Sequence, residues 1–248
     1  MTYCVALNLQ EGMIFASDSR TNAGVDQISR FGKMRVFNTP GERVIVTLSA
    51  GNLSLTQNTL NLLEQRARHD PQRLGINNAT SLFDIATLVG DAMREVRARD
   101  EPYLRSSNID PTASFLVGGQ IRGEAPRLFL VYSEGNFIEV STESPFFQTG
   151  ETKFGKPILD RLITYHSPLA EAVKCVVVSF DSTIRSNLSV AAPVDLLVYR
   201  RDSLQVEAQH RIEETDPNLA DIRTRWHSAL QQAIRDLPEP QWLPPPAP

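Results

Sequence analysis

Three blocks of strand-like alternation are separated by two blocks of helical periodicity, and that order restricts the fold more than any bulk property of the chain. Residues 2–9 and 12–18 read as two strands around the tight turn Gln10-Glu11-Gly12. Residues 23–28 and 33–38 read as a second, more polar hairpin with its turn near Ser29 to Gly32, and Arg43 to Ser49 as a strand with Val44, Val46 and Leu48 on one face. The period then changes. Leu53, Leu60, Leu63 and Ala67 recur at helix spacing to about His69, and a helix opened by the capping box at Ser81 carries Ile85, Leu88, Val89, Ala92 and Val96 to about Arg99. Asp100 to Pro111 reads as an irregular loop. Strands resume at Thr112 to Gln120, Arg127 to Ser133 and Asn136 to Val140, and Phe147 to Gly150 leads into a helix over Phe154 to Thr164. A second helix follows Pro168, with Leu169, Ala172, Val173, Val176, Val177 and Phe180 on one stripe. Asp195 to Arg200 and Gln205 to Ile212 are the last strands, and Asp216 caps a helix to Leu237 with Pro217 in its first turn. Two helix pairs set apart from two antiparallel sheets predict an α+β fold, a four-layer αββα sandwich with the sheets inside. Residues 2–237 are expected to form one domain. Residues 238–248 form a proline-rich, polyproline-like tail, either an end without fixed contacts or an arm toward a neighbouring subunit.

The chemistry sits at the start of the chain. If Met1 is removed, Thr2 carries a hydroxyl nucleophile and a free amine on one residue. An unperturbed α-amine has a pKa of about 8, close enough to neutrality for it to take the hydroxyl proton directly or through one water. Such a pair needs a cation to lower the amine pKa and a carboxylate to hold that cation, and Lys33 and Asp18 are the right residue types. Lysine occurs only at 33, 153, 156 and 174 in an arginine-biased chain, a hint of a specific role for a compact point charge. The bland alternatives are a strand-ending turn at Asp18-Ser19-Arg20 and a solvated lysine.

Other functions lose ground. The formal net charge of -4 gives no basic surface for nucleic acid or an anionic membrane. The two cysteines, Cys4 and Cys175, lie in apolar runs and read as buried free thiols. The four histidines, His69, His166, His210 and His227, show no ligand spacing, so no metal is expected. No apolar run approaches the roughly 18 residues of a membrane span. With no basic segment before an apolar one at the start, a cytoplasmic location is expected. No nucleotide-binding motif occurs, and no cofactor is expected.

Thr2, the element Ser17 to Arg20, Lys33, the Ser-Ala-Gly element Ser49 to Gly51 and the order of elements together resemble the β-type subunits of the proteasome and the bacterial HslV peptidase, which are N-terminal nucleophile hydrolases. The segments Thr149-Gly150-Glu151 with Phe154-Gly155-Lys156-Pro157, and Ser179 to Thr183 with Ser186-Asn187, resemble the bacterial branch called Anbu, the ancestral β subunit. The resemblance covers about residues 2 to 212. It implies Thr2 as nucleophile and Asp18 as the carboxylate pairing with Lys33. Lys33 arrives one residue earlier than the proteasome pattern. A one-residue change in the preceding turn absorbs this, whereas a place inside a strand would turn the side chain to the opposite face. The resemblance further implies Gly51 or Ala50 in the oxyanion segment, Thr21 on the edge that pairs with extended substrate, Thr149 in place of the loop serine, and Asp181 near the terminal amine, with Ser182 and Ser186 as competing hydroxyls. The implied function is a threonine-type peptidase that takes a peptide or protein substrate and assembles with itself into a ring or stacked oligomer, with a separate unfolding ATPase as an open question. Hydrolysis of a small amide and a non-catalytic assembly subunit are the alternatives.

Overall fold

In the computed structural model, which describes residues 2–22 and 28–242, the first strands are β1 (Tyr3–Asn8), β2 (Gly12–Asp18), β3 (Arg20–Asn22), β4 (Ile28–Arg30), β5 (Met34–Thr39) and β6 (Arg43–Gly51). Helices α1 (Leu53–His69) and α2 (Leu82–Ser106) follow, then strands β7 (Ala113–Ile121), β8 (Arg127–Val131), β9 (Phe137–Glu139) and β10 (Phe146–Gly150). Helices α3 (Lys156–Leu162) and α4 (Leu169–Ser186), strands β11 (Val194–Arg200) and β12 (Ala208–Ile212), and helix α5 (Pro217–Arg235) complete the order. One antiparallel sheet runs β10-β1-β2-β11-β12 and the other β5-β6-β7-β8-β9.

Period-two side-chain alternation generates the layers. From β1, Tyr3, Val5 and Leu7 join Ile14, Ala16, Val176, Phe180 and Leu196 under α3, α4 and α5. Cys4 and Ala6 face the other way, into a core between the two sheets shared with Phe15, Leu116 and Leu128. Val44, Val46 and Leu48 of β6 enter that same middle layer, as their alternation predicts. Ile45, Phe115, Val117, Phe129 and Val131 pack instead against Ile85, Val89, Ala92 and Val96 of α2. Three apolar layers therefore separate four structural ones, and the αββα sandwich follows. Strands covered on both faces lose the polar half of their alternation, which is why β1 and β2 read as nearly unbroken apolar runs.

Caps set the helix starts. Asn52 Oδ1 accepts from the N–H groups of Ser54 and Leu55 at the head of α1, and Ser81 Oγ accepts from the Asp84 N–H at 3.0 Å at the head of α2. No helix among the described residues is long and apolar enough to cross a membrane.

Four expectations change. The proposed hairpin of 23–28 with 33–38 does not form. β5 pairs with β6, while β3 pairs with β4, Thr21 opposite Ser29. Residues 23–27 of that expectation lie outside the described residues. Alternation identifies strands but not their partners, and the Thr39-Pro40-Gly41 turn makes β6 the nearer partner of β5. Next, α2 runs through Pro102 to Ser106 rather than stopping near Arg99. Proline removes one helical donor. Glu101, accepting from Arg97 at 2.9 Å and from Arg105 at 2.6 Å, links the turns on either side, and Leu104 packs against the helix–sheet core. Phe147 to Gly150, which precede the expected helix, belong to an edge strand, β10, paired with β1, and that helix, α3, spans Lys156–Leu162 rather than Phe154 to Thr164. Finally, β12 begins at Ala208 rather than Gln205. The tail is described only to Trp242, which is exposed.

Candidate active site

The site forms where β1 begins, between the end of β2 and the end of β10. Thr2 immediately precedes β1 and is half-buried. Its peptide link to Tyr3 is held on both sides. The Tyr3 N–H donates to Asp18 Oδ1 at 2.9 Å, and the Thr2 carbonyl accepts the Glu151 N–H at 2.6 Å. Tyr3 fixes the next residue. Its ring lies 4.5 Å from that of Phe180, its hydroxyl meets Ser179 Oγ at 3.1 Å, and Gln148 Nε2 donates to it at 2.5 Å. Burying a ring of this size contributes about 1.5–3 kcal/mol. Burial also pushes the phenol up to about 12, so it stays a neutral hydrogen-bonding group.

Asp18 ends β2 and is fully buried. The Lys33 ammonium donates to its Oδ1 at 2.7 Å and to the Arg20 carbonyl at 2.7 Å, with Lys33 only 6% exposed. Lys33 sits in the irregular segment 31–33 just before β5, not inside a strand, so the one-residue offset is absorbed and no face is inverted. The Ser49 N–H donates to the Lys33 carbonyl at 3.0 Å and ties the lysine to the β6 segment that ends in Ala50 and Gly51. Burial pushes the Asp18 carboxyl above its usual range, and the adjacent Lys33 ammonium opposes that rise. Its Oδ2 is buried without a hydrogen-bond partner among the described residues. Such a buried pair costs desolvation on both ions, so it is better evidence of a specific role than of stability.

Two glycines make the close approaches possible. Gly150, at φ +85°, lies against Thr2; a Cβ there would sit 2.0 Å from the Thr2 carbonyl oxygen. Gly51, at φ +99°, would place a Cβ 2.4 Å from the Thr112 carbonyl oxygen. Both positions combine a left-handed backbone with backbone contact, which only glycine meets without strain.

The sequence matches no protein-family model and no curated protein. Solved structures do match. Anbu (ancestral β-subunit) from Yersinia bercovieri is 46% identical, with a TM-score of 0.91, over 97% of this chain and 100% of that one. The chain belongs to the Anbu family. Anbu from Pseudomonas aeruginosa, solved as a helical assembly of the Anbu complex, is 50% identical with a TM-score of 0.91, over 97% of this chain and 98% of that one. Anbu from Hyphomicrobium sp. strain MC1 is 44% identical with a TM-score of 0.87, over 96% and 99%.

In this Anbu-family chain the sequence-derived residues separate into two groups. Asp18 and Lys33 meet at Asp18 Oδ1, which also accepts the N–H of Tyr3, the residue after Thr2, and Ala50 and Gly51 follow Ser49, whose N–H binds the Lys33 carbonyl. Thr149 stands opposite Cys4 on β10, one residue beyond Thr2's immediate neighbour, and its hydroxyl pairs with Ser114 Oγ. Thr21 lies on β3, directly after the Arg20 carbonyl that accepts from Lys33. Asp181 lies elsewhere. It is buried on α4, and its carboxylate accepts from Arg185 at 3.2 Å and from Arg223 of α5 at 2.6 Å, so it is engaged with the outer helices rather than with Thr2.

Residues missed as site candidates are Tyr3, Glu151 and Asn187. Glu151 and Asn187 lie inside the Anbu-like segments, but nothing in their spacing marks them as neighbours. Cys4 is a buried thiol whose Sγ–H faces the Ser49 carbonyl, and burial pushes it upward, which removes it as a nucleophile.

Proposed function

We propose that this protein is a cytoplasmic, self-assembling, threonine-type amide hydrolase, a peptidase with Thr2 as nucleophile once Met1 has been removed. The observation that carries the reading is the shared oxygen, Asp18 Oδ1. It receives both the Lys33 ammonium and the N–H of the residue next to Thr2, so nucleophile, carboxylate and cation are fixed in one frame.

Each group has one task. The Thr2 hydroxyl attacks the substrate carbonyl, and its proton passes to the Thr2 amine. Lys33 uses two of its three ammonium hydrogens on Asp18 and Arg20; the third is assigned to the Thr2 hydroxyl, whose ionisation a nearby cation favours. Asp18 holds Lys33 in place through its Oδ1. The Gly51 N–H stabilises the oxyanion of the tetrahedral intermediate. The Thr2 ammonium returns its proton to the leaving amine, which leaves an ester on Thr2, and water hydrolyses it. No cofactor enters these steps. Extended substrate would pair along the β3 edge beside Thr21, and Ala50 and Thr149 would line the bound chain. A cleft of about 400 Å³ bounded by Glu143, Phe146, Gln148 and Lys156 lies toward the far end of β1, near Leu7, and is not assigned to substrate.

The helical assembly recorded for the Pseudomonas aeruginosa relative supports self-association of this chain as well. A separate ATPase that delivers unfolded substrate remains an additional partner to be sought.

The test is covalent. Incubation with a peptide carrying an electrophile that reacts with a hydroxyl and its neighbouring amine is expected to give one adduct, mapped by tandem mass spectrometry to Thr2. An adduct elsewhere, or none in a protein that has lost Met1, would leave the assembly-subunit alternative standing.

A further inference from the structure

Glu151 is a buried acid with no cationic partner among the described residues. Among the described residues five charged side chains are buried: Asp18, Lys33, Arg43, Glu151 and Asp181. Asp18 pairs with Lys33, Arg43 with Glu42, and Asp181 with Arg185 and Arg223. Glu151, 6% exposed, forms no ion pair with a described residue. Its Oε2 accepts from Asn187 Nδ2 at 2.8 Å and its Oε1 from the Lys153 N–H at 3.4 Å. A buried carboxylate served only by neutral donors is costly, and such groups in folded proteins find a counter-charge or neutralise.

Loss of Met1 would create a cationic amine on Thr2, the residue whose carbonyl the Glu151 N–H binds. Glu151 follows β10, whose Gly150 lies against Thr2, and its own N–H holds the Thr2 carbonyl. Asp18 and Lys33 approach Thr2 from the opposite side, across β2. Asn187 ends α4, and its Oδ1 accepts the Ser189 N–H at 2.9 Å, which leaves its Nδ2 turned toward Glu151.

We propose that Glu151 is the counter-ion of the Thr2 ammonium and that Asn187 positions it. The inference rests on the Thr2 reading and deepens it. Asp181, the acid the resemblance assigns to the amine, is engaged with arginines, and Glu151 takes that role. The charged groups carried by the segments packed against Thr2 are Asp18, paired with Lys33, at the end of β2 and Glu151 after β10. Lys33 favours the neutral amine that accepts the proton. Glu151 favours the ammonium that forms when it does, and so stabilises charge that develops during attack.

The experiment reads the amine directly. Purified full-length protein is labelled with limiting acetic anhydride across a pH series, and acetylation of the Thr2 amine is quantified by mass spectrometry. Glu151→Gln, which keeps the hydrogen bond to Asn187 and removes the charge, is expected to lower the apparent amine pKa by about one unit. Glu151→Asp, which draws the charge back by one methylene, is expected to lower it less, and it carries the test if the glutamine variant does not fold. A Thr2 amine whose titration is unchanged in a folded variant overturns the role of Glu151 alone. A wild-type protein that retains Met1 overturns both this role and the nucleophile.

Discussion

Lys33→Ala is expected to abolish hydrolysis and to destabilise the protein at once. The ammonium is the cation that faces the Thr2 hydroxyl in the proposed mechanism, and losses of a member of such a unit run from about 10⁴ to 10⁶ in rate. Removing one partner of a buried ion pair also leaves the other charge uncompensated, at a cost of about 3–5 kcal/mol. The pH dependence follows. Burial already pushes the Asp18 carboxyl up and Lys33 opposes that rise, so losing Lys33 lets it climb further. A carboxyl raised above its unfolded value of about 3.9 contributes stability below that value and loses it as pH rises through the folded one. The variant is therefore expected to show its largest deficit at neutral pH and a smaller one in mild acid, as read by urea unfolding. A double variant, Asp18→Asn with Lys33→Met, replaces the ions by neutral groups. It is expected to recover stability without activity. Recovery of activity in the double variant would remove Lys33 from the chemistry.

Thr2→Ala is expected to remove both hydrolysis and the covalent adduct while the fold stays intact. Among the described residues, Thr2 is seated by backbone hydrogen bonds: its carbonyl binds the Glu151 N–H, and its peptide link leads to the Tyr3 N–H on Asp18. Thr2 is only half-buried, and Thr2→Ala removes no side-chain hydrogen bond to a described residue, so the melting temperature should change little while the rate falls by about 10⁴-fold or more. Thr2→Ser keeps the hydroxyl and is expected to retain the adduct. Full activity in the alanine variant, measured on an amide substrate at neutral pH, would show that another group attacks.

How much of this was legible beforehand depends on the range of the interaction. The period change at Leu53, the caps at Ser81 and Asp216, and the apolar face of Val44, Val46 and Leu48 are local signals, and the structure follows them. Pairing is not local. The 33–38 strand pairs with β6 rather than with 23–28, because alternation says that a segment is extended without naming its partner. The helix continues past Arg99 and through Pro102 because the Arg97–Glu101–Arg105 links span the proline, contacts that the residue pattern does not display. At the site, the residue types of Thr2, Asp18 and Lys33 pointed to one chemistry, and only the position of Lys33 ahead of β5 decided whether its side chain reached Asp18. Asp181 shows the opposite case. Its residue type suited the amine, but Arg223, 42 residues further along the chain, engages it. Glu151 and Asn187, 36 residues apart, meet only because α4 ends against the loop that follows β10.

Everything chemical here requires a free Thr2 amine, and the intact mass of the purified protein measures that directly. A mass short of one methionine residue, with Thr2 as the first residue sequenced, is the expected result. A protein that keeps Met1 through expression, assembly and exposure to a methionine aminopeptidase would have its base blocked as an amide, and Thr2 could not be the nucleophile described.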